Sequence, residues 1–371
     1  MNPFYLMKLC CIFNYNPQYR FPIYEAMDNT FDCDFYFGKD VSCGIKTFDP
    51  NLLHNFKGYI TPKHLFGPFY TYKGISGALS EEYTHYILTG EPFFLSNWRI
   101  LMYALLHRKK VFFWTHGAYG HISKPWTRIL IKMFYKYANL LVYGEYAGKY
   151  LEELGCKKKN IHYIHNSLDT NVQTNLYSTN LKSDIYKQHF GNDNPVAIYI
   201  GRIQKRKKLD QLIEAVDILN KRGNAINVVI VGPNTDDTSI NSMVREYGLD
   251  NQIWFYGPSY DEKTNAELLY NAEVCVSPGN VGLTSIHSLS YGTPVVTNDN
   301  FGAQMPEFEA IQSGLTGSFF HENDVNSLAS AIEDWIHCAP SKKEMTRQLA
   351  REKIINEWSV NYQIELLKKV L

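Results

Sequence analysis

Five cations fall within seven residues in Arg202-Ile203-Gln204-Lys205-Arg206-Lys207-Lys208. An apolar run ending in Tyr199-Ile200-Gly201 precedes them and an amphipathic stretch from Leu209 follows. The dipole of a helix N-terminus favours negative charge, so cations gathered there call for an anion among them. Arginine offers paired donors to a phosphate and lysine a point charge. A solvated basic loop is the plainer alternative, and the strand-to-helix position favours a phosphate site. A second loop, Ser277-Pro278-Gly279-Asn280-Val281-Gly282-Leu283-Thr284-Ser285, runs into another helix. Small residues let a backbone approach a ligand closely, and the free N–H groups of Leu283, Thr284 and Ser285 would face an anion.

These loops need strands and helices to hold them. Apolar runs of strand length alternate with amphipathic stretches along all 371 residues, which predicts an α/β fold with parallel sheets covered by helices. The length suits two domains. The spacing predicts strands at 5–13, 32–37, 86–89, 111–115, 140–142 and 162–164, and a second series at 196–200, 227–231, 253–256, 274–277 and 294–297. The polar, aperiodic stretch 166–182 reads as the linker. Domain bounds of 1–170 and 171–357 follow, and the last helix, about 358–371, is expected to pack back on the first domain. Ligands of doubly wound sheets sit at the carboxyl ends of the strands, so chemistry is sought in the loops there.

Lysine plus arginine and aspartate plus glutamate each number 37, so no net charge draws the chain to nucleic acid. The seven cysteines form no zinc spacing and read as reduced thiols of a cytoplasmic protein. Neither a signal peptide nor a transmembrane run is expected. In 124–137, Lys124, Arg128, Lys132 and Lys136 recur every four residues, while Trp126, Ile129, Leu130, Met133, Phe134 and Tyr137 form another face. Such a helix either packs on its sheet or lies peripherally on anionic lipid at the inner face of a membrane. Asp32-Cys33-Asp34 spells a metal-binding pair but falls inside a strand, and no metal is expected.

From Pro195 to Phe320 the chain resembles the nucleotide-binding domain of the group 1, retaining-type GT-B glycosyltransferases of the bacterial capsule and lipopolysaccharide kind. The matching pieces are Tyr199-Ile200-Gly201-Arg202, Lys207, Leu209-Asp210, Val231-Gly232, Ile253-Trp254-Phe255-Tyr256-Gly257, Gly282-Leu283 and Tyr291-Gly292-Thr293-Pro294-Val295-Val296. The resemblance implies two Rossmann-like domains facing a central cleft. It implies Arg202, Lys207, Gly282, Leu283 and Thr284 on the diphosphate, and Gly232, Phe255 and Tyr256 by the base. The family carries two glutamates separated by seven residues, where this chain has Gly279 and His287. His287 is then expected on the ribose, and Gly279, Asn280 and Glu307, with Glu309 as an alternate carboxylate, by the donor sugar. In the first domain His116, in Thr115-His116-Gly117, is expected on the donor sugar and the developing charge of the leaving diphosphate. Tyr143-Gly144-Glu145-Tyr146 and His165-Asn166-Ser167-Leu168-Asp169 also resemble the family. Relatives have a Gly-rich loop where this chain has Tyr19 and Arg20, which are assigned to the acceptor. Glu91 is the candidate general base if the reaction inverts.

The expected function is sugar transfer from a UDP- or GDP-sugar to a glycan or polyprenyl-linked glycan acceptor, without a resident cofactor. Two alternatives stay open. A nucleotide-sugar 2-epimerase shares the architecture, and a silent relative would bind the nucleotide as a scaffold.

Overall fold

The computed structural model describes residues 7–39, 46–117, 125–179, 181–237 and 239–371. The chain divides into two compact units, Met1–Leu168 with Val360–Leu371, and Asp169–Ser359.

The first unit contains β1 (Lys8–Phe13), α1 (Phe21–Thr30), β2 (Asp32–Gly38), β3 (Phe56–Phe66), β4 (Phe69–Lys73), β5 (His85–Thr89), α2 (Leu95–Leu106), β6 (Lys110–Thr115), α3 (Pro125–Tyr135), β7 (Asn139–Val142), α4 (Glu145–Glu153) and β8 (Ile161–Tyr163). Its sheet order is β4-β3-β2-β1-β5-β6-β7-β8, parallel except for the β3–β4 hairpin. That hairpin was not predicted, because its side chains stay largely exposed and leave no apolar run. Alternate strand residues feed two cores. Ile12, Leu88 and Phe113 face one layer, while Phe13, Ile87 and Phe112 face the other. Burial on both sides explains the near-continuous apolar runs of β1 and β6.

The second unit contains α5 (Thr170–Tyr177), α6 (Ile185–Phe190), β9 (Val196–Ile200), α7 (Leu209–Lys221), β10 (Asn227–Val231), α8 (Ile240–Glu246), β11 (Ile253–Gly257), α9 (Glu262–Asn271), β12 (Val274–Ser277), α10 (Thr284–Ser290), β13 (Val295–Asn298), β14 (Gly317–Phe320), α11 (Val325–Ile336) and α12 (Pro340–Glu357). Its parallel sheet runs β11-β10-β9-β12-β13-β14. The stretch read as a linker holds α5, a correction to the sequence reading. Asp169 caps that helix by accepting from the Val172 N–H at 3.1 Å. The final helix, α13 (Val360–Val370), belongs to the first unit, where Val360, Ile364 and Leu367 join the core of Ile23 and Met27.

Among the described residues no helix is long and apolar enough to cross a membrane. The described cysteines are unpaired thiols, and Cys43 lies outside the described residues. Asp34 is buried, accepts from the Tyr83 hydroxyl at 2.7 Å and lies 3.3 Å from the Lys57 ammonium. These bonds make it a structural carboxylate.

Candidate functional site

In the second unit the basic loop and the Gly282 turn are tied together. Thr284 Oγ1 donates to the Ile200 carbonyl at 2.8 Å, and Lys207 Nζ donates to the Asn280 carbonyl at 2.5 Å. The loop after β9 makes a 3-10 turn at Lys205–Lys207, and Lys208 then takes a left-handed φ of 51° where α7 starts. The five cations separate. Lys205 and Arg206 are exposed. Lys208 pairs with Glu322 at 2.9 Å. Arg202 and Lys207 are half-buried, which leaves them as the inward pair. Burial, aided by the positive charges of Arg206 and Arg202 and only partly offset by Glu307, lowers the Lys207 pKa to about 8. An excess of positive charge around an enclosed lysine is what an anion would relieve.

Gly279 has a steric reason to be glycine. A Cβ there would stand 2.1 Å from the Arg206 carbonyl oxygen and 2.7 Å from the Lys207 Cα, so only glycine fits. Its N–H donates to the Lys207 carbonyl at 2.9 Å, and its carbonyl accepts from Asn298 Nδ2 at 3.0 Å. Both backbone groups are spent inside the protein, so Gly279 positions the basic loop. Gly232 plays a similar part. Its φ is 142°, and a Cβ would lie 1.9 Å from the Gly201 carbonyl oxygen. Two residues missed by sequence reasoning hold this loop from below. Gln304, 2% exposed, accepts from the Val281 N–H at 2.8 Å and donates to the Asn298 carbonyl at 3.0 Å. Asn298 donates to the Pro278 carbonyl at 2.7 Å. Neither carries a motif signal, since each acts through contacts distant in sequence.

Glu307 is buried, with its carbonyl accepting from Ser285 Oγ at 2.7 Å, and its charge acts on Lys207. Asn280 Oδ1 is buried with no donor among the described residues. His287 is engaged by a residue that sequence reasoning missed, Glu262. One Glu262 oxygen lies 3.0 Å from His287 Nε2 and accepts from the Tyr291 hydroxyl at 2.8 Å and Gln173 Nε2 at 3.2 Å. Burial alone would raise the Glu262 carboxyl; the His287 charge and these three donors bring it below its usual range. A carboxylate thus stands beside the position where the chain has histidine. The Phe255 ring packs against the core, while Tyr256 rests on Trp254 with ring centroids 5.0 Å apart. Strand alternation therefore commits the Phe255 ring to packing, and only Tyr256 of the pair stays on the outer face.

The first unit has its own site. Glu91, His116, Tyr19 and Arg20 line one cavity of about 240 Å³ with Thr89, Trp114 and Tyr143. They come from the ends of β1, β5, β6 and β7, where a parallel sheet gathers its loops. Tyr135 bridges two of these loops, donating to the Gly90 carbonyl at 2.8 Å with its hydroxyl 3.0 Å from Thr115 Oγ1. Asn97 Nδ2 donates to the Glu91 carbonyl at 3.1 Å. Water reaches the Glu91 and His116 side chains through the cavity, yet protein encloses them on the other sides. That enclosure raises the Glu91 carboxyl. Enclosure and the nearby Arg20 charge lower His116 to about 4, so it is neutral at pH 7. The Ala118-Tyr119-Gly120 end of the histidine motif lies outside the described residues.

Of the α3 residues that the sequence grouped on one apolar face, Phe134 is buried, stacked on Phe113 at 4.2 Å. Trp126, Ile129, Met133 and Tyr137 remain exposed beside Arg128, Lys132 and Lys136, and Lys124 lies outside the described residues.

Two Rossmann-like units with ligand loops at the carboxyl ends of their strands define the GT-B fold. HepE of Anabaena, solved in complex with UDP, shares it with a TM-score of 0.74 and 14% identity, covering 98% of this chain and 99% of that one. The lipopolysaccharide outer core galactosyltransferase WaaB gives 0.68 and 14%, covering 98% and 100%. Residues 182–353 match the family model for glycosyl transferases group 1. The mannosylfructose-phosphate synthase of Agrobacterium fabrum is 26% identical over 189 residues, 48% of this chain and 40% of that protein. The capsular polysaccharide biosynthesis glycosyltransferase CapM of Staphylococcus aureus is 25% identical over 182 residues, 45% of this chain and 43% of that protein. Each of these two sequence matches spans less than half of the relative's own length.

Proposed function

We propose that the protein is a glycosyltransferase that moves a sugar from a nucleoside-diphosphate sugar to a glycan or lipid-linked glycan acceptor in surface polysaccharide synthesis. The observation that carries this reading is Lys207, half-buried among Arg202 and Arg206 over the Gly282 turn, an enclosed cationic site suited to a diphosphate. The family match of this segment and the polysaccharide role in the name of CapM agree with it. Arg202 and Lys207 would neutralise the leaving diphosphate without a metal. Glu262 with His287 suits the ribose hydroxyls better than His287 alone, because a carboxylate accepts what a hydroxyl donates. The first unit would take the acceptor. There the neutral His116 would donate a hydrogen bond to the sugar, and Glu91, its pKa raised by enclosure, would serve as a general base if the reaction inverts. A retaining course is the alternative that the family resemblance favours.

The test is nucleotide release. The protein is incubated with UDP- and GDP-sugars, with and without a membrane extract containing polyprenyl-linked glycans. Free nucleoside diphosphate should appear only when donor and extract are both present. Isomerised donor without release, or donor binding with neither outcome, would overturn the transferase reading.

The exposed apolar and basic side chains of α3 support peripheral contact with an anionic bilayer. The turn of the β3–β4 hairpin adds exposed Leu65 and Phe66, joined to Trp126 by ring contacts through Phe69 and Phe93. Phosphatidylglycerol vesicles should sediment the protein and phosphatidylcholine vesicles should not. Ile129→Glu should abolish the difference.

A further inference from the structure

We infer that the cavity of the first unit binds a negatively charged group of the acceptor, a carboxylate or a phosphate, through Arg20 and the indole N–H of Trp114. The inference rests on reading this unit as the acceptor side of a glycosyltransferase. Arg20 ends the 3-10 turn Gln18–Arg20, where its N–H donates to the Pro17 carbonyl at 3.0 Å. Its guanidinium carbon lies 5.2 Å from the ring centre of Tyr143, 5.4 Å from Trp114 and 6.0 Å from Tyr19. Burial works against its charge, but the neighbouring Tyr24, Tyr19 and Tyr15 outweigh it and hold Arg20 above the usual arginine range. It remains a cation, and no carboxylate pairs with it among the described residues.

A partly buried guanidinium without a counterion is costly unless an anion visits it. Glu91, the acidic side chain lining the cavity, does not supply that charge. It forms no ion pair with Arg20 among the described residues. A second observation points the same way. Trp114 is 3% exposed, lines the cavity, and its Nε1–H meets no acceptor among the described residues. A buried donor left unmade is destabilising, and a shift of the indole that brings its N–H to an incoming anion beside Arg20 would satisfy it. His116, neutral at pH 7, adds hydrogen-bonding capacity without competing for the anion.

The remaining walls suit a sugar. Tyr15, Tyr19, Phe93 and Tyr135 present apolar ring surface, on which the C–H faces of a pyranose pack. The volume, about 240 Å³, lies just below the range of about 300–1,000 Å³ for drug-sized ligands, which fits one acidic sugar residue better than an oligosaccharide. The acceptor residue is thus a uronic acid or a sugar phosphate.

The full chain is titrated with sodium glucuronate, glucose 1-phosphate and glucose, and separately with UDP and GDP, following binding by ligand-observed NMR. At least one anion should bind about tenfold more tightly than glucose, the worth of one charged hydrogen bond. Preference for glucuronate identifies a carboxylate, and preference for glucose 1-phosphate a phosphate. Arg20→Gln should erase the preference, Trp114→Phe should reduce it, Arg20→Lys should keep part of it, and UDP affinity should not change. Equal binding of glucose and both anions, or an intact preference in Arg20→Gln, overturns the proposal. If Arg20→Gln does not fold, Trp114→Phe and Arg20→Lys decide, and an unaltered preference in both overturns it. Loss of UDP affinity in the Arg20 variants assigns the residue to the donor and overturns it too. Failure of the unaltered protein to bind either UDP or GDP defeats the glycosyltransferase reading instead, whatever the anion preference.

Discussion

Each unit places an arginine just beyond its first strand, and the two arginines are held in different ways. Arg202 follows β9 and shares its loop with Lys207, whose ammonium is fixed by the Asn280 carbonyl. The surroundings are mostly backbone, with Gly279 pressed on Arg206 and Gly232 on Gly201. Arg20 follows β1 and lies among the rings of Tyr143, Trp114 and Tyr19. Backbone amides and paired cations suit a phosphate, which is small, symmetric and common to many substrates. An aromatic cage suits one particular ring. The contrast fits a second unit that grips what every donor shares and a first unit that discriminates among acceptors.

The largest expected effect tests the backbone-built side. Arg202→Ala and Lys207→Ala should each weaken UDP binding by roughly 1.5–3 kcal/mol, about 10- to 150-fold, as measured by calorimetry. Unchanged affinity in both would remove the phosphate assignment. The next effect is on stability. Gly279→Ala should lower it by about 1–3 kcal/mol in denaturant unfolding, since the new methyl meets the Arg206 and Lys207 backbone. Gly279→Glu, which restores the family's residue, should do no better.

A pH effect follows from Lys207. Its pKa of about 8 lies below the unfolded value, so its proton is lost from the free protein first, and the diphosphate needs the charged form. UDP affinity should be flat below pH 8 and fall above it by up to about tenfold per pH unit. Lys207→Arg should extend the plateau, because arginine stays charged. Stability moves the other way. Holding Lys207 charged is unfavourable in the folded state, so its contribution should improve between pH 8 and the unfolded lysine range. A plateau that continues past pH 9 in the unaltered protein would contradict the environment described for Lys207.

The smallest effect concerns Glu262. Glu262→Gln should cost about 0.5–1.5 kcal/mol of stability, the worth of an ordinary hydrogen bond, because Gln173, Tyr291 and His287 lose a charged acceptor. It should also narrow the difference in affinity between UDP and 2′-deoxy-UDP. An unchanged difference would take the pair off the ribose.

The sequence by itself determined the alternation of strands and helices, because runs buried on both sheet faces leave continuous apolar segments such as Val196–Ile200. It also marked the loops at strand ends, since cations, glycines and histidines there stand out against apolar neighbours. Arg202, Lys207, His116, Glu91 and Arg20 were legible for that reason. The β3–β4 hairpin was not, because its exposed residues have no apolar period. Only the tertiary structure decided which of the five cations turn inward, since Lys208 leaves the group by meeting Glu322 across 114 residues. Only it showed that the backbone packed against Gly279 leaves no room for a side chain, that Glu262 stands next to His287, and that Arg20 shares a cavity with Trp114, whose indole N–H has no acceptor among the described residues. These facts depend on contacts between distant segments, and residue type and spacing do not encode a partner that folding brings near.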